Sequence, residues 1–396
     1  MPNRVYKMRE LCEITSSKRI YAADYKPDGV PFYRGKEISE KFKGNLDVST
    51  ELFIDRDKFE QIRHRFGAPV GGDLLLTSVG TLGSPYVVNN GEEFYFKDGN
   101  LTWFRKFNHL ESRFLYYWLQ SSQGKGELKK CTIGSSQSAY TIVLLKEMEI
   151  TLPPLPTQRK IAAILSAYDD LIENNLRRIK ILEEMAQNLY REWFVKFRFP
   201  GHEQARFVDS SLGRIPEGWE VKKLGEILEL KYGKALKQEN RQGGNVPVYG
   251  SSGIVGYHDV HLVNGPGIVI GRKGNVGSVY WSEKSFYPID TAYFVSSEMP
   301  LRFLFYDLQT KNFLNNDAAV PGLNRNQAYS LETVIPTEDI LRLFCGFADD
   351  FEQQAAVLRI QNTNLRRTRD MLLPKLISGE VDVSELAIAI PEEVAA

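Results

Sequence analysis

Several segments of this chain occur twice in the same order, and this internal repeat limits the possible folds more than any other feature of the sequence. Similar residues at matching spacing favour the same local elements, and 396 residues are enough for two domains. The repeated segments are 6–14 and 219–227, 30–33 and 246–249, 74–84 and 268–278, 114–117 and 303–306, and 139–140 and 328–329. The chain is therefore predicted to contain two similar domains related by a pseudo-twofold repeat.

Each copy of the repeat has the pattern of a mixed α/β domain. Short runs of β-branched and aromatic residues are bounded by Gly, Asn and Pro, which is typical of strands and turns. One short helix is predicted at 112–120 in the first copy and one at 301–309 in the second. We therefore expect an α+β protein with two similar mixed domains.

A long helix is predicted after each domain. Between Pro156 and Pro200 there is neither Gly nor Pro. Thr157 and Thr337 each follow a proline and stand where an N-cap is expected. Pro374 is predicted to break or end the second helix, because proline lacks the backbone N–H that a helix interior needs.

Apolar residues recur in both helices at alternating steps of four and three, a 3.5-residue period that indicates a coiled coil. The predicted helix-pairing residues are Ile161, Leu165, Tyr168, Ile172, Asn175, Ile179, Leu182, Ala186, Leu189 and Trp193, and Ile340, Phe344, Phe347, Phe351, Gln354, Leu358, Gln361, Leu365, Thr368 and Leu372. The polar members Asn175, Gln354 and Gln361 are expected to fix the register by pairing with one another. The alternative is that each helix packs only on its own domain.

Two helices related by duplication pair most simply in antiparallel orientation. About 35 helical residues span roughly 50 Å, so we expect a rod with one domain at each end. The predicted segments are a first domain at 1–156, a central helix at 157–200, a second domain at 201–336, a C-terminal helix at 337–380 and a tail at 381–396.

The sequence contains no recognisable catalytic or metal-binding motif. It lacks a Gly-x-x-x-x-Gly-Lys-Ser/Thr phosphate loop and a Gly-x-Ser-x-Gly elbow, and its three cysteines lie far apart. No apolar run approaches the roughly 20 residues of a membrane span, and no signal segment is evident, so a cytoplasmic protein is expected. The chain is predicted not to be an enzyme, although a nuclease fused to recognition domains is a second possibility.

The candidates for DNA contact are polar side chains in three parts of each copy: the glycine-rich turn, the residues after segment 30–33 or 246–249, and a further polar loop. The candidates are Arg34, Lys36, Thr77, Ser78, Thr81, Ser135 and Gln137 in the first copy, and Ser251, Ser252, Arg272, Lys273, Asn275, Asn324, Arg325 and Asn326 in the second. Segment 134–137 is taken as the counterpart of 324–327, whose side chains suit bidentate bonding to base edges. The alternative is that these are ordinary tight turns and polar surface loops.

The overall charge argues against simple nucleic-acid binding. The 50 Lys and Arg residues balance the 50 Asp and Glu residues, whereas nucleic-acid-binding domains are usually basic. DNA binding therefore requires positive charge clustered on one face, or a partner protein that supplies the rest.

The junctions between domains and helices resemble those of a known family. Segment 152–161, LPPLPTQRKI, closely resembles the junction where the first recognition domain enters its helix in specificity subunits of type I restriction–modification systems. Segments 169–175 and 189–194 resemble the central helix of that family, and 365–380 resembles its C-terminal conserved region. The resemblance covers essentially the whole chain, although Thr157 stands where family members often have Glu.

The resemblance implies a function. Each domain would read one half of a bipartite DNA site, and the two helices would set the spacing and dock two methyltransferase subunits, to which restriction/translocase subunits add. No cofactor would be bound by this chain, because S-adenosylmethionine, ATP and Mg²⁺ belong to those partners. The alternative is a non-catalytic coiled-coil scaffold that carries two protein- or glycan-binding domains.

Overall fold

The computed structural model describes residues 4–45, 48–134, 138–313 and 322–390. The chain divides into two compact units, Met1–Arg178 with Leu358–Ala396, and Ile179–Val357. Both long helices cross the boundary in the sequence, so each unit contains a part of each helix.

The first unit is built around a four-stranded sheet in which β2 (Glu13–Thr15), β9 (Leu101–Arg105), β6 (Leu74–Thr77) and β7 (Pro85–Val87) lie side by side in that order. The strands of the whole unit are β1 (Arg4–Lys7), β2 (Glu13–Thr15), β3 (Tyr25–Lys26), β4 (Val30–Tyr33), β5 (Phe53–Ile54), β6 (Leu74–Thr77), β7 (Pro85–Val87), β8 (Tyr95–Phe96), β9 (Leu101–Arg105), β10 (Thr132–Ile133), β11 (Ala139–Tyr140) and β12 (Glu149–Leu152). The helices of this unit are α1 (Met8–Leu11), α2 (Gly35–Phe42), α3 (Arg56–Phe66), α4 (Ser112–Gln120), α5 (Ser122–Lys130), α6 (Ile142–Glu147), the first part of α7 (Leu155–Tyr190) and the last part of α11 (Glu338–Ser378).

The second unit has a four-stranded sheet of equivalent order, in which β16 (Glu229–Tyr232), β22 (Ala292–Ser296), β19 (Gly267–Gly271) and β20 (Val279–Ser282) lie side by side. The strands of the whole unit are β13 (Phe207–Ser210), β14 (Gly213–Pro216), β15 (Glu220–Lys223), β16 (Glu229–Tyr232), β17 (Val246–Gly250), β18 (Gly253–His258), β19 (Gly267–Gly271), β20 (Val279–Ser282), β21 (Tyr287–Pro288), β22 (Ala292–Ser296) and β23 (Glu332–Ile335). The helices of this unit are the last part of α7, then α8 (Leu224–Ile227), α9 (Leu301–Gln309), α10 (Arg325–Ser330) and the first part of α11 (Glu338–Ser378).

The two units repeat one fold, which confirms the predicted duplication. Strands β1 and β12 pair in antiparallel fashion in the first unit, as β15 and β23 do in the second. Helices α4 and α9 have the predicted bounds. They bury matching pairs of residues, Phe114 and Leu115 in the first unit and Phe303 and Leu304 in the second. The α+β class with two similar mixed domains and two long helices is confirmed.

The cores are aromatic-rich and include the long helices. In the first unit, α4 packs with Leu165 of α7 and Leu376 of α11. In the second unit, Phe303 of α9 packs with Phe194, which follows α7, and with Phe344 of α11. Each long helix is therefore held by its domains, and truncating a buried Phe such as Phe344 is expected to cost about 3–5 kcal/mol.

The antiparallel pairing of the helices is visible in the first unit. Asp169 of α7 forms an ion pair with Arg369 of α11, and six residues further along α7, Asn175 bonds to Asn362. Partner numbers in α11 fall as numbers in α7 rise, which is the signature of antiparallel helices. Asn175 Nδ2 donates to Asn362 Oδ1 at 2.9 Å, and Asn362 Nδ2 donates to the Ile172 carbonyl at 3.3 Å.

Most of the predicted helix-pairing residues are removed from solvent. The buried ones are Ile161, Leu165, Ile172, Asn175, Ile179, Ala186, Trp193, Phe344 and Leu358. The partly exposed ones are Tyr168, Leu182, Leu189, Ile340, Phe351, Leu365 and Leu372. The exposed ones are Phe347, Gln354, Gln361 and Thr368.

The register predicted for α11 needs a correction. The residues buried in this helix are Leu341, Phe344, Ala348, Ala355, Leu358, Asn362 and Leu376. Gln354 and Gln361 are exposed and do not pair with Asn175. Phe347 is 43% exposed, although its ring still contacts that of Trp193, with centroids 6.1 Å apart. The predicted register of α11 advances by four and then three residues, whereas the observed register advances by three and then four. The two registers share every seventh residue, so apolar content alone did not separate them.

The helix ends also differ from the prediction. Helix α7 begins at Leu155 and contains Pro156 in its first turn, where proline loses no helical hydrogen bond. Thr157 is therefore inside the helix and is not its N-cap. Helix α11 continues through Pro374 and ends at Ser378, before Gly379 with φ of +79°. Pro374 does not break the helix, because Leu376 packs in the core of the first unit and stabilises the last helical turn.

Candidate nucleic-acid interface

Both units contain the same hydrogen-bonded turn between two strands of the main sheet. In the first unit, Gly83 N donates to the Thr77 carbonyl at 3.0 Å, and Thr77 N donates to the Ser84 carbonyl at 3.1 Å. In the second unit, the Gly277 and Gly271 amides make the corresponding bonds, both at 2.8 Å. The turn glycines have positive φ in both copies, so a glycine is favoured there for backbone reasons alone.

Two of the candidate residues in the first turn are structural. Thr77 is 0% and Ser78 2% exposed, which contradicts the prediction that they contact DNA. Thr77 Oγ1 accepts the Ser84 amide at 2.9 Å, and Ser78 Oγ bonds to Thr102 Oγ1 at 2.7 Å. Their hydroxyls satisfy buried polar groups where the strand enters the turn. Thr81, at the tip of the turn, is exposed.

Helix α2 begins beside this turn. A Cβ on Gly35 would lie 3.8 Å from the Val79 carbonyl oxygen. Arg34 is half-buried, and its guanidinium bonds to Glu37 at 2.8 Å, whereas Lys36 is exposed. Burial raises the pKa of Glu37, but hydrogen bonds from the Arg34 side chain and backbone leave that pKa below its usual value. Arg34 is therefore held by an ion pair, and Lys36 is the freer of the two cations. Candidates Ser135 and Gln137 lie outside the described residues.

The second unit brings most of its candidate residues together. Leu323 N donates to the Arg272 carbonyl at 2.9 Å, and Lys273 forms a β-bridge with Gly322, so segment 322–326 lies against the turn. Asn324 caps α10, because its Oδ1 accepts the amides of Asn326 and Gln327 at 3.0 and 3.3 Å. Asn324 therefore has a structural role as well as an exposed amide, and Lys273 and Asn326 are exposed.

The remaining candidates of the second unit border the same turn. The Ser251 carbonyl accepts a hydrogen bond from Ser278 Oγ at 2.7 Å, and a Cβ on Gly274 would lie 3.2 Å from Ser251 Oγ. Ser252 and Asn275 are exposed. DNA contact by these residues stays a prediction, but the fold places them around one turn.

A tyrosine that the sequence analysis missed lies within this cluster. The guanidinium carbons of Arg272 and Arg325 lie 4.9 and 5.3 Å from the ring centroid of Tyr232, which is 49% exposed. The hydrogen bond with Tyr293 is the main cause that lowers the pKa of Tyr232, and the two arginine charges act in the same direction. The available signal was an aromatic residue at a strand end followed by Gly233, a weak pattern without the fold.

The structure corrects two matches between the copies. Tyr140 N donates to the Ser78 carbonyl at 3.0 Å, as Leu323 N does to the Arg272 carbonyl, so Tyr140 corresponds to Leu323. Segments 139–140 and 134–137 are therefore not the counterparts of 328–329 and 324–327. Ala139–Tyr140 is a strand, whereas residues 328–329 belong to α10, and a two-residue identity does not determine an alignment.

Neither a metal site nor a membrane segment is evident in the part of the chain that the structure describes. In residues 4–45, 48–134, 138–313 and 322–390, no group of three or more His, Cys, Asp or Glu side chains is placed to hold a metal ion. Within the same ranges no helix has the length and apolar character needed to cross a lipid bilayer.

Two similar mixed domains, paired long helices, and polar or cationic side chains around the same turn in each unit define a duplicated recognition protein. The family model described as type I restriction modification DNA specificity domain matches residues 2–184 and 216–333, and the chain belongs to that family. The type I restriction enzyme MjaIX specificity subunit of Methanocaldococcus jannaschii is 28% identical over 355 residues, covering 80% of this chain and 79% of that protein.

Further relatives agree with this assignment. The type I restriction enzyme HindI specificity subunit of Haemophilus influenzae is 21% identical over 324 residues, covering 60% of this chain and 70% of that protein. The crystal structure of the S subunit of a type I restriction–modification system from M. genitalium has the same fold, with a TM-score of 0.58 at 17% identity over 95% of this chain and 96% of that chain. The chain is a DNA sequence-specificity subunit and is not itself an enzyme.

Proposed function

We propose that each unit reads one half of a bipartite DNA site through the side chains around its repeated turn. The observation that carries the proposal is an identical backbone turn with different exposed side chains: Thr81 and the nearby Lys36 in the first unit, Lys273 and Asn275 in the second. A shared scaffold with different polar groups suits two readers of different sequences.

The paired helices would set the spacing between the half-sites and dock two methyltransferase subunits, with restriction/translocase subunits added to that complex. The buried Asn175–Asn362 pair supports a fixed helix register. Leu171, Ile360 and Met371 of the first unit are exposed apolar side chains on these helices, which supports a protein-binding surface. S-adenosylmethionine, ATP and Mg²⁺ would be bound by the partner subunits, and the complex would act on DNA in the cytoplasm.

Exchange of one recognition domain tests this function. Residues 1–156 are replaced by those of a relative, the chain is expressed with its methyltransferase subunits, and the methylated sites are mapped by methylome sequencing. We expect one half-site to change while the other half-site and the spacing stay the same. The matched control exchanges 201–336 and should change the opposite half-site. A simultaneous change of both half-sites in either hybrid would contradict the modular assignment.

The length of the helices is tested separately. Matched insertion of one heptad into α7 and α11 preserves the 3.5-residue period and should widen the gap between the half-sites. Insertion into α7 alone is the control, because it breaks the pairing register and should abolish site-specific methylation. An unchanged gap after the matched insertion would remove the spacing role of the helices.

A further inference from the structure

Two arginines from distant parts of the second unit converge on one exposed tyrosine. Arg272 follows β19, Arg325 begins α10, and Tyr232 ends β16. Arg272 also lies 5.7 Å from the Tyr293 ring centroid, and Arg325 lies 6.0 Å from that of Tyr329. Cation–π contacts hold both guanidinium groups against aromatic rings, which limits the orientations available to them.

The two positive charges are not neutralised by a carboxylate of the residues that the structure describes. Among the residues that the structure describes, neither Arg272 nor Arg325 forms an ion pair. Each donates a hydrogen bond to a backbone carbonyl, from Arg272 Nη1 to Asp290 O at 3.0 Å and from Arg325 Nη1 to Leu230 O at 3.5 Å, and the Arg272 side chain also bonds to Tyr293. A guanidinium has five N–H donors, so most of the donors of each group are left for a ligand.

The corresponding position of the first unit has no such charges. Alignment of the main sheets places Ser16 where the second unit has Tyr232, and the repeated turn places the buried Ser78 where it has Arg272. Thr141 caps α6 as Asn324 caps α10, so Ile142 is in the place of Arg325. The fold therefore does not require this cluster, which points to a ligand of the second unit.

We propose that Arg272 and Arg325, positioned by Tyr232, together bind one phosphate of the DNA backbone beside the half-site that the second unit reads. This inference rests on the proposed function. A phosphodiester is an anion with oxygens that accept guanidinium N–H groups in pairs, and it offsets the repulsion between two neighbouring cations. A base edge is neutral and would leave that repulsion in place.

The salt dependence of binding measures this contact. The full chain in complex with its methyltransferase subunits is titrated with a short duplex of random sequence by fluorescence anisotropy, between about 50 and about 200 mM salt. Binding weakens as salt rises, so the slope of log K against log salt is negative. Loss of one phosphate contact decreases the magnitude of this slope by about 0.9. We expect that decrease for the double variant Arg272→Gln/Arg325→Gln, because it loses the one shared phosphate. Each single variant should show a smaller decrease, because the other arginine still contacts the phosphate.

Three outcomes would overturn the proposal. An unchanged slope in the double variant would show that neither arginine binds a phosphate. A decrease of about 1.8 in the double variant would show two separate phosphates. An equal decrease in Arg342→Gln, a matched loss of an exposed arginine on α11, would show a general charge effect; in the proposal that control keeps the wild-type slope.

The role of Tyr232 is tested through variants that keep both charges. Tyr232→Ala removes the ring that positions the guanidinium groups and should weaken random-duplex binding about two- to fivefold, since an exposed cation–π contact contributes about 0.5–1 kcal/mol. Tyr232→Phe keeps the ring and should bind like the wild type. Wild-type affinity of Tyr232→Ala would remove the positioning role, and thermal melting of each variant checks that it is folded.

Methylome sequencing separates this inference from the proposed function. In the arginine variants the same half-sites should be methylated at lower efficiency, because a phosphate contact carries no base information. Relaxed recognition at one base pair would assign a base contact and overturn the phosphate site. Absence of any DNA binding or methylation by the wild-type complex would instead refute the proposed function itself.

Discussion

The buried asparagine pair in the helix seam gives a prediction with a defined magnitude. Asn175 and Asn362 are 7% and 1% exposed, and each donates one amide hydrogen bond within the seam. Replacing Asn175 by Leu leaves the Asn362 Oδ1 without this donor in a buried environment. An unsatisfied buried polar group costs about 1–3 kcal/mol. For a unit of this size, each kcal/mol lost from the free energy of unfolding lowers Tm by about 2–4 °C.

The double variant separates polar satisfaction from apolar burial. With both residues replaced by Leu no amide is left unpaired, so the stability should return to near or above that of the wild type. Thermal and urea unfolding of the four proteins in this cycle should give a coupling energy of about 0.5–3 kcal/mol. Gln361→Leu, at the exposed neighbouring position, is the control and should change stability by less than about 0.5 kcal/mol. Additive effects of the two single substitutions would refute the assigned pairing.

Three further predictions concern single positions. Phe344→Ala should destabilise the protein by about 3–5 kcal/mol in urea unfolding. Phe347→Ala should destabilise it by about 1 kcal/mol, because Phe347 is partly exposed to solvent. Equal destabilisation by the two substitutions would show that Phe347 is a buried helix-pairing residue. The pKa of Glu37 is lower in the folded than in the unfolded protein. Its carboxylate therefore stabilises the folded state above the unfolded pKa, and this stabilisation is lost as pH falls through the folded pKa. Thermal melting at neutral and acidic pH should show a smaller acid destabilisation for Glu37→Gln than for the wild type, and an equal acid destabilisation would contradict this. Pro374→Ala should stabilise α11 by about 1–3 kcal/mol, because it restores a helical amide, and a lower urea midpoint would contradict this.

The repeat and the helices were accessible from the sequence because their signals are local or periodic. The bounds of α4 and α9 followed from short apolar runs, and the 3.5-residue period located both long helices. The exact seam of α11 was not accessible. The choice between Gln361 and Asn362 depends on which amide meets Asn175, and that contact joins residues nearly half the chain apart.

Exposure was the property that the sequence could not decide for the candidate site. Thr77 and Ser78 stand at the end of a strand in the same way as Gly271 and Arg272, yet their hydroxyls turn into buried hydrogen bonds. A short hydroxyl can satisfy a polar group of its own turn, whereas a long guanidinium extends beyond it. The chemistry of the side chain indicates what it can bind, but the packing around it determines whether it is available.

The amino-acid sequence by itself determined the duplicated architecture, the two paired helices and the family, because each depends on patterns that recur along the chain. Tertiary structure alone decided the helix register and brought Tyr232, Arg272 and Arg325 together. Their convergence depends on three separate elements of one sheet-based fold, and no local spacing encodes a contact between residues that far apart in the chain.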